Sequence, residues 1–199
     1  MYDITDPRFW AEAGDELWND ISPTILSIYL KGVEGGIDGL PRKAQVLADV
    51  DAVNANALAF LEQYRLRWLD DVLRTSQEQA VKVFEEWIRS PLPLPALEEA
   101  LEPIFGEARA ERIAVTETTR IFAEGNQAAW EDTGLVESSV WMTAQDDLVC
   151  PICSDLDGTH VGIGDFDASP PAHPECRCYL QPVVSEDALA RKLDEILGE

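Results

Sequence analysis

Positive charge is what this chain lacks most. Its 199 residues hold 15 Lys and Arg against 38 Asp and Glu, a formal net charge of −23. A protein that grips nucleic acid over a broad face needs the opposite balance, because its affinity comes from cations that displace counterions from phosphates. Direct DNA binding is therefore not expected. The charge favours solubility and a basic partner surface instead. No apolar run approaches the ~20 residues that cross a bilayer, so no membrane partner is expected. The opening residues lack a basic segment followed by an apolar core, so no export signal is read. Histidine and cysteine are also scarce, at two and four residues. None of them forms H-E-x-x-H, which sets aside the commonest zinc-protease signature.

The few chemistry-bearing residues share one segment. All four cysteines and both histidines fall between Cys150 and Cys178, in V-C-P-I-C-S-D-L-D-G-T-H and P-P-A-H-P-E-C-R-C. Cys150 and Cys153 form a C-x-x-C knuckle, with Pro151 shaping the turn. Cys176 and Cys178 form C-x-C, and His173 precedes Cys176 by three residues. Two donor pairs joined by a loop of roughly twenty residues are the arrangement of a closed tetrahedral zinc site. Thiolate and imidazole are the donors zinc prefers. Five donors compete for four places: Cys150, Cys153 and Cys176 come first, and the fourth is His173 or Cys178. His160, after the Asp157-Gly158 turn, is a weaker candidate. Two disulfides or buried free thiols are the alternatives, and the missing export signal weighs against disulfides. A catalytic zinc keeps one position open for water with a general base beside it. Both histidines here follow the C-x-x-C, the reverse of the order in nucleic-acid deaminases. The zinc therefore reads as a structural staple for a loop-rich segment.

Elsewhere the pattern is helical. Asp6-Pro7 signals a start, with Phe9, Trp10, Leu17 and Trp18 at helical spacing, and Ser22-Pro23 begins a second segment. Gly32, Gly35, Gly36 and Gly39 read as a flexible break. Pro41 opens the longest pattern, from Arg42 to about Ser90. It is split near Arg74, because Thr75-Ser76 followed by Glu78 and Gln79 resembles a cap. Pro91, Pro93 and Pro95 make an extended connector. Leu97 to about Trp130 is helical again, interrupted at Gly106 and ended by Thr133-Gly134. Short β-like runs follow at Ser138 to Met142 and at Leu148-Val149, with a turn at Asp146-Asp147 between them, and Tyr179 to Val184 returns as a strand. Ser185 caps a last helix through Leu197. The expected fold is mainly α with a small α+β C-terminal segment stapled by a structural zinc. Its expected parts are an N-terminal helical lead (1–40), a helical domain (41–134), the zinc-stapled segment (135–184) and a C-terminal helix (185–199).

Three stretches are more specific. R-A-E-R-I-A-V-T-E-T-T-R (Arg109 to Arg120), V-W-M-T-A-Q-D-D-L-V-C-P-I-C-S-D-L-D-G (Val140 to Gly158) and P-P-A-H-P-E-C-R-C (Pro170 to Cys178) resemble the phage Mu F-like head morphogenesis family in order, spacing and rare residues. The resemblance implies a minor head protein of a tailed bacteriophage, located in the head interior or at the portal vertex, and in the host cytoplasm during assembly. Its implied partners are the portal protein and, beyond it, the major capsid or scaffolding protein. Its implied role is head morphogenesis or DNA delivery, without catalysis. Two rival readings stand beside it: a zinc-dependent nucleic-acid hydrolase or deaminase, and a prophage-derived zinc-binding adaptor of the host. Within the motifs, Arg109, Glu117 and Arg120 read as ion pairs that fix the helix against the zinc loop, with a catalytic Glu117 as the rival. Trp141 reads as an aromatic lid and Asp147 as a carboxylate that accepts N–H bonds behind the knuckle. Gly158 closes a turn, and Arg177 offsets thiolate charge.

Overall fold

A computed structural model describes residues 7–89 and 93–197. Asp6 of the expected helix start and Ser90 to Leu92 of the proline stretch lie outside the described residues. The elements run α1 (Pro7–Asp38), α2 (Arg42–Gln45), α3 (Val50–Arg89), α4 (Leu94–Phe105), α5 (Glu107–Thr133), β1 (Val136–Met142), α6 (Pro151–Leu156), β2 (His160–Gly162), β3 (Tyr179–Val184) and α7 (Glu186–Leu197). The chain is thus mainly helical with one small antiparallel sheet. No helix among the described residues is long and apolar enough to cross a membrane. Two compact units result, one of Met1–Thr24 with Ala59–Ile113, the other of Ile25–Leu58 with Ala114–Glu199.

The first unit buries Trp10, Tyr64, Trp68, Ala80, Leu97 and Ile104. The break expected near Arg74 is absent, and α3 runs on for 40 residues. Thr75 and Ser76 do not cap a helix. Their hydroxyls donate to the carbonyls of Asp71 (2.6 Å) and Val72 (2.7 Å), one turn back within the same helix. A hydroxyl satisfied in this way has no need of a helix end. Ser76 also accepts from Arg109 Nη2 at 3.2 Å. Pro95 belongs to the first turn of α4 rather than to an extended connector, since a proline there gives up an N–H that would have no helical partner. Ser22-Pro23 likewise starts no new helix. Pro23 lies inside α1, which forgoes one main-chain bond there.

In the second unit the glycine run of α1 is helical, not a flexible break. A Cβ on Gly32 would lie 2.4 Å from the Phe122 carbonyl oxygen, and one on Gly125 would lie 2.4 Å from that of Tyr29. Glycine is there because the backbones of α1 and α5 touch. From Ile121 to Trp130 α5 is buried on nearly every side. Its polar side chains then need partners. Gln127 accepts from the Gly164 amide at 2.6 Å and donates to Ser169 Oγ, and Trp130 Nε1 donates to the Gly36 carbonyl at 2.8 Å. Gly134, with φ +62°, ends the helix in the left-handed region.

The sheet has the order β2-β1-β3, with Ser139 opposite Val161 and Trp141 opposite Leu180. Trp141 donates its amide to Thr159 (2.8 Å) and accepts from Gly158 (2.9 Å). Its main chain therefore faces β2, and Leu180 and Pro182 turn theirs away from β1. Pro182 thus sits in a strand without breaking the ladder. The core of the unit joins Leu40, Ala44, Trp130, Trp141, Val161 and Leu180 to Cys153, Cys176 and Cys178. Leu148-Val149 is not a strand; it leads from a turn, with the Val149 amide bonded to Asp146, into the knuckle. Ser185 Oγ accepts from the Ala188 amide at 3.3 Å and caps α7.

Candidate metal centre

Three pieces of chain bring the donors together. Cys150 precedes α6 as its N-cap, with Pro151 in the first turn, and Cys153 lies one turn along. The segment His173–Cys176 closes as a turn through Cys176 N to His173 O at 3.2 Å. Cys178 then leads into β3 at Tyr179. All four cysteines are free thiols. Cys150, Cys153 and His173 form one group of donor atoms within 4.8 Å of one another, and Cys153, Cys176 and Cys178 form a second. Cys153 belongs to both. A small cavity of about 30 Å³ opens among them.

Within each group of three the spacings are near those of a tetrahedral ion, and the two groups meet at Cys153 without merging into one set of four within 4.8 Å. With Zn–S near 2.3 Å and Zn–N near 2.0–2.1 Å, tetrahedral edges are about 3.8 Å between sulfurs and about 3.6 Å between sulfur and nitrogen. Cys153 Sγ and Cys176 Sγ are 3.8 Å apart, while His173 Nε2 lies 3.2 Å from Cys150 Sγ and 3.0 Å from Cys153 Sγ. The sulfur edge already fits, and the nitrogen edges need to open by about half an ångström. His173 Nδ1 lies 2.7 Å from the Pro174 carbonyl. Donation to that carbonyl leaves Nε2 as a lone pair among the sulfurs, the tautomer a metal requires.

Electrostatics point the same way. Burial pushes the Cys153 thiol far above its ordinary value, and neighbouring Cys178, Cys150 and Cys176 add to the push. Burial also raises Cys178. Buried thiols of this kind lose their protons when a cation takes the protons' place. Cys150 is shifted down, chiefly because the Cys153 amide donates to its sulfur. Trp141 Nε1 is buried without a hydrogen-bond partner of good geometry, and its pull on Cys178 favours the thiolate. The indole thus bears on the Cys178 sulfur itself, beyond the lid expected of it. These groups could hold a metal ion.

The other expected site residues fall in different places. His160 is exposed on β2, its Nδ1 2.9 Å from Ser138 Oγ, apart from the cluster. Arg109 reaches Ser76 of α3, not the zinc loop. Arg120 pairs with Glu117 at 3.3 Å along the same helix, part-exposed, a geometry that adds little stability. The carboxylate behind the knuckle is Asp146, not Asp147. It accepts from the Leu148 amide and from both Arg177 nitrogens at 2.6 and 2.8 Å, which hold its carboxyl below the usual range. Arg177 thereby faces an aspartate. Gly158, with φ +78°, makes the turn after α6.

Sequence reasoning missed the residues that tie α5 to the donor turn. Thr119 Oγ1 donates to the Cys176 carbonyl at 2.8 Å, and Thr116 Oγ1 accepts from the Glu175 amide at 2.9 Å. Their i, i+3 spacing within T-E-T-T was the available signal. It also missed the clamp on α6, where Asp157 accepts from the Thr143 amide at 2.8 Å and from Gln145 Nε2. Thr119→Val keeps the shape and removes one part-buried donor, so it is expected to cost about 1 kcal/mol, read as a lower urea midpoint at unchanged slope.

Residues 94–181 match the family model described as Phage Mu protein F like protein, a little under half of the chain. No curated protein and no solved structure matches it.

Proposed function

We propose, from the premise that residues 94–181 belong to the phage Mu F-like family, that the chain is a minor head protein of a tailed phage. In this reading it docks on the portal and serves head assembly or DNA delivery without catalysing a reaction. The family match carries the proposal. Zinc bound by Cys150, Cys153, Cys176 and either His173 or Cys178 would supply a cross-link between α6, the donor turn and β3, and no reaction. Five donors in two groups that share Cys153 suit a closed shell better than one with a place kept for water. The charge of −23 suits a protein that works beside packaged DNA while binding other proteins.

The test is quantitative mass spectrometry of purified virions and procapsids, with capture of the chain on isolated portal rings. A few copies per particle and retention on the ring are expected. Absence from both particles together with no portal binding would overturn the reading. A zinc deaminase is the second reading, favoured by one observation: His173-Pro174-Glu175 spells H-x-E, and Glu175 lines the cavity among the donors. Turnover on single-stranded nucleic acid, abolished by Glu175→Gln, would restore it.

A further inference from the structure

Two short turns carry four of the five donors at one spacing. Cys150 and Cys153 are three residues apart, and so are His173 and Cys176. Each turn is closed by the amide of its second member. The Cys153 amide donates to the Cys150 sulfur at 3.4 Å, and the Cys176 amide donates to the His173 carbonyl at 3.2 Å. The second turn is held from outside as well. The Glu175 amide donates to Thr116, and the Cys176 carbonyl accepts from Thr119, both on α5. Glu175 has φ +62°, a left-handed conformation that a residue other than glycine keeps only where its surroundings enforce it. The side chains of the two turns meet. His173 Nε2 lies 3.2 Å from Cys150 Sγ and 3.0 Å from Cys153 Sγ, and Cys176 Sγ lies 3.8 Å from Cys153 Sγ.

Cys178 stands outside this pairing. It follows the second turn and precedes Tyr179, which pairs with Met142 in the ladder of β1 and β3. It packs in the core with Trp141 and Leu180. Its sulfur is grouped with those of Cys153 and Cys176, and not with the donors of Cys150 or His173. Cys176 belongs to the same group, but the turn ties it to His173, whereas Cys178 is tied to the sheet. Charge separates the two candidate shells too. Zinc with three thiolates and a neutral imidazole is singly negative, and zinc with four thiolates is doubly negative. Arg177 already shares its charge with Asp146 through two hydrogen bonds. The less negative shell therefore costs less to bury. We infer that zinc is held by Cys150, Cys153, His173 and Cys176, and that Cys178 remains a thiol of the core. Thr116 and Thr119 then act as positioning residues, setting the place of one donor pair from α5. The inference rests on the reading of a structural zinc and needs no partner protein.

The test reads the shell directly. X-ray absorption at the zinc edge of the intact, zinc-loaded chain is expected to show three sulfurs at about 2.3 Å and one nitrogen at about 2.0–2.1 Å. Competition with a chelator should place the zinc affinity of Cys178→Ala within about threefold of wild type. His173→Ala should weaken zinc by at least the ~100-fold that loss of an outer hydrogen-bond partner can cost. His173→Cys should bind again, with the thiolate charge-transfer band of its cobalt form about a third stronger than that of wild type, as four thiolates replace three. Should Cys178→Ala fail to fold, the wild-type absorption edge decides alone. Four sulfurs around the ion, or a folded Cys178→Ala chain that has lost its metal, would overturn the assignment and leave the zinc reading standing. A wild-type chain that takes up no zinc would overturn both. Neither result depends on portal binding.

Discussion

Cys153→Ser is expected to abolish metal retention and to unfold the segment from Met142 to Leu180. Cys153 is the one donor common to both three-donor groups. It is 4% exposed and packs in the same core as Trp141 and Leu180. Small zinc-dependent domains draw roughly 10–16 kcal/mol from their metal at neutral pH, comparable to the whole stability of a typical domain at about 5–15 kcal/mol. Even part of that loss should lower the melting temperature by more than about 10 °C in a chain of this length. Elemental analysis should find about one zinc per wild-type chain, and chelation should reproduce the melting behaviour of the variant. The same assay on His173→Ala and Cys178→Ser decides the fourth ligand, since only one of them should lose metal. Charge-transfer intensity of a cobalt-substituted sample then separates three bound thiolates from four. Wild-type protein without metal, melting as Cys153→Ser does, would end the staple model.

How much of this was legible beforehand depended on whether the signal was local. Tyr179 to Val184 was bounded correctly because alternation and flanking residues decide a short strand, and Ser185 could be read as a cap for the same reason. That the cysteines and His173 come together could be read because thiols are rare and their spacing is stereotyped. Tertiary contacts defeated the rest. Gly32, Gly35 and Gly36 look like a break in isolation and become a contact surface only with α5 beside them. Thr75-Ser76 has the residues of a cap, but its hydroxyls turn back into α3. β2 is three residues long and exists through its pairing with β1. Asp146 and Asp147 are indistinguishable by composition, and the position of Arg177 chose the first. Thr116 and Thr119 gained their role from a turn some 57–59 residues further along the chain.

Gly125→Leu is expected to prevent the second unit from folding, and Gly125→Ala to destabilise it by about 2 kcal/mol. In an ordinary helix the alanine change would gain about 1 kcal/mol of propensity. Here the new methyl meets the Tyr29 carbonyl oxygen at 2.4 Å and the Val33 amide nitrogen at 2.9 Å. Both obstacles are main-chain atoms of α1, which cannot swing aside as a side-chain tip does. Overpacking costs about 1–3 kcal/mol where neighbours can adjust, and more where they cannot. The helices must part, which also stretches the 2.8 Å bond from Trp130 to the Gly36 carbonyl and disturbs an indole that is 1% exposed. Trp130 fluorescence should therefore shift along with the urea midpoint. Gly14 provides the contrast. Its added methyl would also meet an atom at 2.4 Å, but that atom is Leu73 Cδ1, the movable end of a side chain. Gly14→Ala should then stay within about 1 kcal/mol of wild type, because rotamer relief and helix propensity offset each other. If Gly125→Ala matched the wild type in urea, the two backbones would not be in contact, and the glycines of α1 would need another explanation.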